Sequence, residues 1–420
     1  MTIQHDGKKK RLIVHVDFND EVYERKQPIT LRETRELVER LAQNGVDTLL
    51  YRAGCVGLLP YRTRLGYQPL FFDEADAGKN MEGNPCVKGD YQRKRGEFIG
   101  KYNRVIESFN PPEEIIKAGH AVGMQVLVWL DLFDDWFPGH RSKFLDEHPH
   151  CQWTARDGKT YYRGIASYAW PEARAFRVAQ AKELLALGAD GIHCSTSSHA
   201  RHHPNVHQLD YYGFETPVVD EYRRRHGIDL RTAKEFDREA WHVLKGEFMS
   251  KLYEELSALC HGSGKELWIG LQFGEQTFLS ANPYHSGNVV ARYHNDWRGM
   301  VEKGIADAFI LGDYEIASNP SFVDSCCDCP SYWKAKGLAH EPDIHAWAAR
   351  EYQTACRGKT KLFVFGEWLS HDREKTQKLL SDWTRRVTNH DFEGLLVHEA
   401  LNFEPDKFDL LKNCAAWKIW

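Results

Sequence analysis

Eight short apolar runs, spaced along the whole chain and separated by helix-like stretches, constrain this sequence more than any other feature. They are "RLIVHVDF" (Arg11–Phe18), "VDTLLYRAG" (Val46–Gly54), "MQVLVWLDLF" (Met124–Phe133) and "DGIHCSTSS" (Asp190–Ser198). "ELWIGLQF" (Glu266–Phe273), "DAFILGDY" (Asp307–Tyr314), "KLFVFGEW" (Lys361–Trp368) and "FEGLLVHEALNF" (Phe392–Phe403) complete the set. Near-continuous apolar runs, rather than alternating ones, are what strands buried on both faces require. Helix signals stand between them. Thr30 followed by Glu33 is a capping-box pattern ahead of the Leu31, Leu37 and Leu41 face. Prolines open "PPEEIIKAGHAVG" and "PEARAFRVAQAKELLALG".

Strand–helix alternation implies parallel strands with right-handed crossovers. Eight such units predict closure into a (β/α)8 barrel, an α/β fold with long loops on the C-terminal face of the strands. An open doubly wound sheet would want a glycine-rich phosphate loop after the first strand, and "VDFNDEVYERKQ" offers none. The 420 residues suit one barrel domain spanning 1–420. Loop insertions are expected at about 55–110, 133–170, 196–232 and 315–340, each rich in polar residues.

A formal net charge of -5 gives no electrostatic case for nucleic acid or for an anionic membrane surface. No apolar stretch is long enough to span a bilayer, and the N-terminus lacks the order of regions that marks a secretory signal. A cytoplasmic protein is expected. The ten cysteines then read as reduced thiols. No P-loop, dinucleotide fingerprint or nucleophile elbow occurs, so no cofactor is expected. "SSHARHHPNVHQLD" gathers His199, His202, His203, His207 and Asp210. These histidines lack the helical pair spacing of a metal motif, and "SCCDCP" has no second CxxC, so no metal is assigned.

Three runs end in glycine followed by a carboxylate: Gly274–Glu275, Gly312–Asp313 and Gly366–Glu367. Function in such barrels sits at the C-terminal strand ends, so these glycines would turn acids toward one bowl. The full inventory is Asp17 and Asn19 after the first strand, Arg52 on the second, and Asp131, Asp134 and Asp135 on the third. The fourth brings Ser195 and His199, the fifth Gln272 and Glu275, the sixth Asp313 and Glu315, the seventh Glu367, and the eighth His398 and Glu399. Paired carboxylates suit glycosidic-bond hydrolysis, one protonating the leaving oxygen and one attacking or activating water. Glu367 is the expected nucleophile or base and Asp313 the opposing acid, with Glu399 and Asp131 in reserve. Asp17, Asn19, Arg52, His199, Gln272, Glu275 and His398 would hold sugar hydroxyls. Trp136, Tyr314 and Trp368 would stack on sugar rings. Asp134 and Asp135 read as loop or capping residues.

Three segments carry a family resemblance. "FLDEHPHCQWTARDGK" (Phe144–Lys159), "WPEARAFRVAQAKELLALGADGIHC" (Trp170–Cys194) and "DYYGFETPVVDEYRRRHGIDL" (Asp210–Leu230) resemble the family 10 glycosyl hydrolase-like proteins of bacteria. The resemblance implies a (β/α)8 glycosidase acting on a carbohydrate. It also implies an Asp at the end of the fourth strand, where this chain has Ser195, and Glu367 alone matches the seventh-strand nucleophile position. The competing expectations are a carbohydrate-binding barrel without catalysis and, third, a metal-dependent hydrolase.

Overall fold

A computed structural model describes residues 10–65, 70–73, 75, 90–137, 139–196, 210–280, 289–312, 343–366, 372–398 and 407–415. Eight strands close into a parallel barrel: β1 (Arg11–Val16), β2 (Thr48–Gly54), β3 (Gln125–Asp131), β4 (Gly191–Ser195), β5 (Glu266–Leu271), β6 (Ala308–Leu311), β7 (Lys361–Gly366) and β8 (Gly394–Val397). Their order around the barrel follows the chain, and β1 pairs with β8 to shut it. The (β/α)8 architecture is the one the eight apolar runs predict.

Residue parity along the strands sorts the core. Leu12, Val14, Val16, Leu49 and Val126 face the helix layer and belong to the large outer cluster. Ile13, Leu50, Leu127, Trp268, Phe363 and Leu396 face inward and form a separate cluster inside the barrel. This two-sided burial explains the unbroken apolar runs.

Carboxylates do a purely structural job at the N-terminal face. Asp47 accepts the backbone N–H of Leu12 at 2.9 Å, Asp190 that of Val126 at 2.9 Å, Asp307 that of Leu267 at 2.8 Å and Glu393 that of Leu362 at 2.9 Å. Each acid stands just before one strand and satisfies the N–H of the second residue of a strand beside it.

Several local elements differ from expectation. β1 stops at Val16, because the Asp17 side chain accepts the N–H of Asn19 and caps a short helix, Phe18–Glu24. The segment after β2, expected as polar loop, contains the helix Asp90–Ser108. Phe98, Tyr102 and Val105 are its buried face, a spacing hidden among lysines, arginines and glycines. Small antiparallel hairpins rise from the C-terminal side after β3 (Gln152–Thr154 with Tyr161–Ala166) and after β5 (Gln276–Ser280 with Val289–His294). The helix Arg238–Gly262 packs on the second of these through Gly246, where any side chain would meet the carbonyl of His294. The six described cysteines form no disulfide with one another. No helix among the described residues is long and apolar enough to cross a membrane.

The three glycines of the Gly-carboxylate endings do different work. Gly274 and Gly312 adopt positive φ, 89° and 78°, which a residue with a Cβ resists. Gly366 instead lies close to β8, where a Cβ would stand 3.1 Å from the carbonyl of Leu396.

Candidate active site

The barrel interior changes character along its axis. Past the apolar layer, the next inward positions are His15 on β1, Arg52 on β2, Trp129 on β3, His193 on β4 and, just past the last residue of β8, His398. Asp17, Asp131 and Ser195 follow at the C-terminal ends. All of these side chains are buried. Polar groups in such a place cost folding free energy unless each is partnered, so their number at this end, all buried, is informative.

Arg52 organises the acids. Its Nη1 donates to Asp17 Oδ2 at 2.5 Å, and its Nη2 donates to Asp131 Oδ2 and to Asp134 Oδ2, the latter at 2.8 Å. Asp131 also accepts Trp129 Nε1 at 2.8 Å. Asp134 accepts the N–H of Val56 at 3.0 Å, pinning a residue whose φ is +48°. The guanidinium lies 4.5 Å over the Trp129 ring, a favourable cation–π geometry. Burial opposes the charge on Arg52, but Asp131, Asp17 and Asp134 outweigh it and hold the group well above its ordinary value. Three carboxylates thus converge on one guanidinium in a desolvated place.

Asp134 and Asp135 are therefore more than loop or capping residues. Asp135 turns to a second arginine, Arg177, which also contacts Tyr168 Oη at 3.0 Å and Gln180 at 2.8 Å. Burial, only partly offset by Arg177, pushes the Asp135 carboxyl up to about 6. The cavity bordered by Asp131, Asp134, Asp135 and Arg177 holds about 10 Å³, room for one water and no larger ligand.

On the other side of Trp129 sits His15, stacked on the indole with centroids 4.2 Å apart. His15 Nδ1 lies 3.0 Å from His398 Nδ1, and the His193 ring is 5.8 Å from His15. Burial holds His15 well below its usual value, and His398, His193 and Arg52 add to that. Burial likewise lowers His193 to about 3. At neutral pH both are uncharged.

The structure brings Asp17, Asn19, Arg52, Asp131 and His398 to one end of the barrel. Gln272 lies half-buried one step past β5. Two expectations need correction. Trp136 is no stacking platform: it is 1% exposed, Gly164 packs against its Cβ, and the Arg163 guanidinium lies 5.3 Å from its ring. Glu275 is exposed and turns to His294 at 3.7 Å and Arg298 at 3.6 Å, because the positive φ of Gly274 leads the chain into the hairpin. Asp210, considered with the loop histidines for metal, is bound instead by Arg292 and His242. Among the described residues no group of His, Cys, Asp and Glu is arranged to hold a metal ion. Glu367, Asp313, Glu399, His199, Tyr314 and Trp368 lie outside the described residues. Sequence reasoning gave no role to Trp129 or His193, although the inward parity of their strands would have found both.

No protein-family model and no curated protein matches the sequence. Solved structures similar to the chain include the catalytic domain of β-amylase from Paenibacillus polymyxa (TM-score 0.44, 10% identity, covering 95% of this chain and 94% of that one). A maltogenic α-amylase from Thermotoga neapolitana is also similar (TM-score 0.45, 11% identity, 97% and 76%). So is an exo β-N-acetylglucosaminidase from Vibrio harveyi (TM-score 0.45, 10% identity, 98% and 54%). These are glycoside hydrolases on barrels, at a likeness too distant to carry a functional argument.

Proposed function

We propose that the chain hydrolyses a glycosidic bond of an oligosaccharide at the C-terminal mouth of the barrel. One observation carries this reading: past the apolar layer, the inward side chains toward the C-terminal end are histidines and an arginine and then carboxylates, all buried. The N-terminal face also has polar groups, yet there the acids cap strand N–H groups or, as Glu266 does, bind Lys361 and Gln125. Buried polar groups at the mouth suit a ligand rich in hydroxyls.

In this reading Glu367 attacks the anomeric carbon or activates water, and Asp313 protonates the leaving oxygen. Inward parity on β7 runs through Phe363 and Phe365, and one further step is Glu367. The same count favours Asp313 and Glu399 less, since each follows an inward position by one. Asp131 has oxygens already engaged by Arg52 and Trp129, so it fits the task of holding Arg52 better than that of proton donor. Arg52, Asp17, Asn19, His398, Gln272 and His199 would meet sugar hydroxyls, with Tyr314 and Trp368 as stacking surfaces.

A sugar-binding barrel without catalysis is the second reading, favoured by Ser195 at the end of β4. A panel of oligosaccharides assayed for new reducing ends separates the two. Wild type should cleave at least one substrate, and Glu367→Gln should lose about 10³-fold or more in kcat, in line with removal of a group acting in the transition state. Binding without cleavage supports the second reading, and equal rates for the two proteins remove Glu367 from the chemistry.

A further inference from the structure

The barrel closes where β1 meets β8, and the register there is regular: Arg11 faces Gly394 and Val14 faces Val397. One step further, the same offset of 383 positions sets His15 against His398. The two imidazoles stand nearly edge to face, at 86°, with Nδ1 3.0 Å from Nδ1. Both are buried, at 0% and 3% exposure. His15 is clamped flat on Trp129, and His398 stacks on Phe365 at 5.9 Å.

Two nitrogens at this distance must share one hydrogen. If His15 donates Nδ1–H, then His398 accepts at Nδ1 and carries its own proton on Nε2. If His398 donates, its Nε2 is bare and His15 carries the Nε2 proton. The pair can also take up one extra proton without losing the bridge. The protonated ring then has N–H at both nitrogens, and its neighbour accepts at Nδ1. A second extra proton would set N–H against N–H and break it. The neutral pair therefore presents one bare Nε2, and the singly protonated pair presents none.

We propose that His15 is a positioning residue that, through this bond, decides whether His398 offers an N–H or a bare nitrogen to a ligand hydroxyl. The surroundings set where the extra proton goes. Arg52 lies across the Trp129 ring from His15, with Asp17, Asp131 and Asp134 bound to it. His193 from β4 faces His15, and Phe365 from β7 brings no charge. Burial, then His398, His193 and Arg52, keep His15 uncharged, so an extra proton on the bridged pair sits on His398. A pair that holds that proton has turned His398 from a group able to accept a hydroxyl hydrogen into one that only donates.

The ligand half of this inference rests on the carbohydrate reading above; the proton-sharing half does not. The test uses the full chain labelled with ¹⁵N-histidine, reading imidazole ¹⁵N shifts from pH 5 to 8. Wild type, His15→Asn and His15→Leu are compared, Asn placing an amide near the position of Nδ1. The expected result is a change of threefold or more in the His398 tautomer ratio in His15→Leu, largely restored in His15→Asn. A His398 spectrum unaffected by His15→Leu overturns the proposal. If His15→Leu does not fold, His398→Leu read at His15 gives the same decision. Oligosaccharide affinity measured alongside should lose its pH dependence below neutrality in His15→Leu. Tautomer coupling with no carbohydrate bound at any pH leaves the pair standing and removes the carbohydrate reading.

Discussion

Replacing Arg52 by methionine keeps most of the stem and removes the charge from the centre of the acid cluster. Asp17, Asp131 and Asp134 would remain with side-chain exposures of 3%, 1% and 0% and without the guanidinium that each contacts. Removing one partner of a buried ion pair costs about 3–5 kcal/mol, because the other charge stays desolvated. Loss of the stack on Trp129 adds about 1 kcal/mol. The three carboxylates share one guanidinium, so the first figure is not multiplied by three. A total of about 4–6 kcal/mol is expected, a large part of the ~5–15 kcal/mol that folded domains have. The sign of the pH effect follows from the same count. With the guanidinium gone, the clustered carboxylates repel and take up protons more readily in the folded state, so the deficit narrows as pH falls. Urea unfolding at pH 7.5 and pH 4.5 reads both effects. A deficit below about 1 kcal/mol at pH 7.5, or one of equal size at both values, would show that the cluster is solvated.

Two further predictions concern parts around the mouth. The Asp135 carboxyl stands at about 6 in the folded chain against an ordinary 3.8. Its contribution is therefore fully present below about pH 4 and lost as pH rises through 6. The shift corresponds to ~3 kcal/mol, so the stability difference between wild type and Asp135→Asn should fall by about that much from pH 4 to pH 7, and a pH-independent difference would contradict the buried placement. Gly246→Ala puts a methyl 1.8 Å from the carbonyl oxygen of His294. Overpacking of this kind costs about 1–3 kcal/mol, and hydrogen exchange should speed up in Val289–His294, whereas unchanged exchange there would mean that the helix and hairpin are not in contact.

The fold was legible because parallel barrel strands are buried on both sides and advertise themselves as unbroken apolar runs. The helix Asp90–Ser108 was not, since its buried Phe98, Tyr102 and Val105 are diluted by charged neighbours. At the mouth, Asp17, Arg52 and Asp131, picked out as strand-end residues, stand in contact with one another. What sequence could not supply was pairing. Nothing in "FDDWF" says that Asp134 turns to Arg52, Asp135 to Arg177, and Trp136 into the wall. The His15–His398 contact depends on the register across the closing seam, a tertiary quantity that pattern reading does not contain. Glu275 misled because Gly–carboxylate endings look alike in sequence, while the chain after Gly274 runs straight into a hairpin.

The position of a bound oligosaccharide in a crystal of Glu367→Gln tests the central claim most directly. A sugar seated over the C-terminal strand ends, with hydroxyls within hydrogen-bond distance of His398 or the Arg52 cluster and the scissile oxygen beside residue 367, is the predicted result. A sugar bound on an outer helix face, or a mouth that stays free of sugar at saturating concentration, would contradict it.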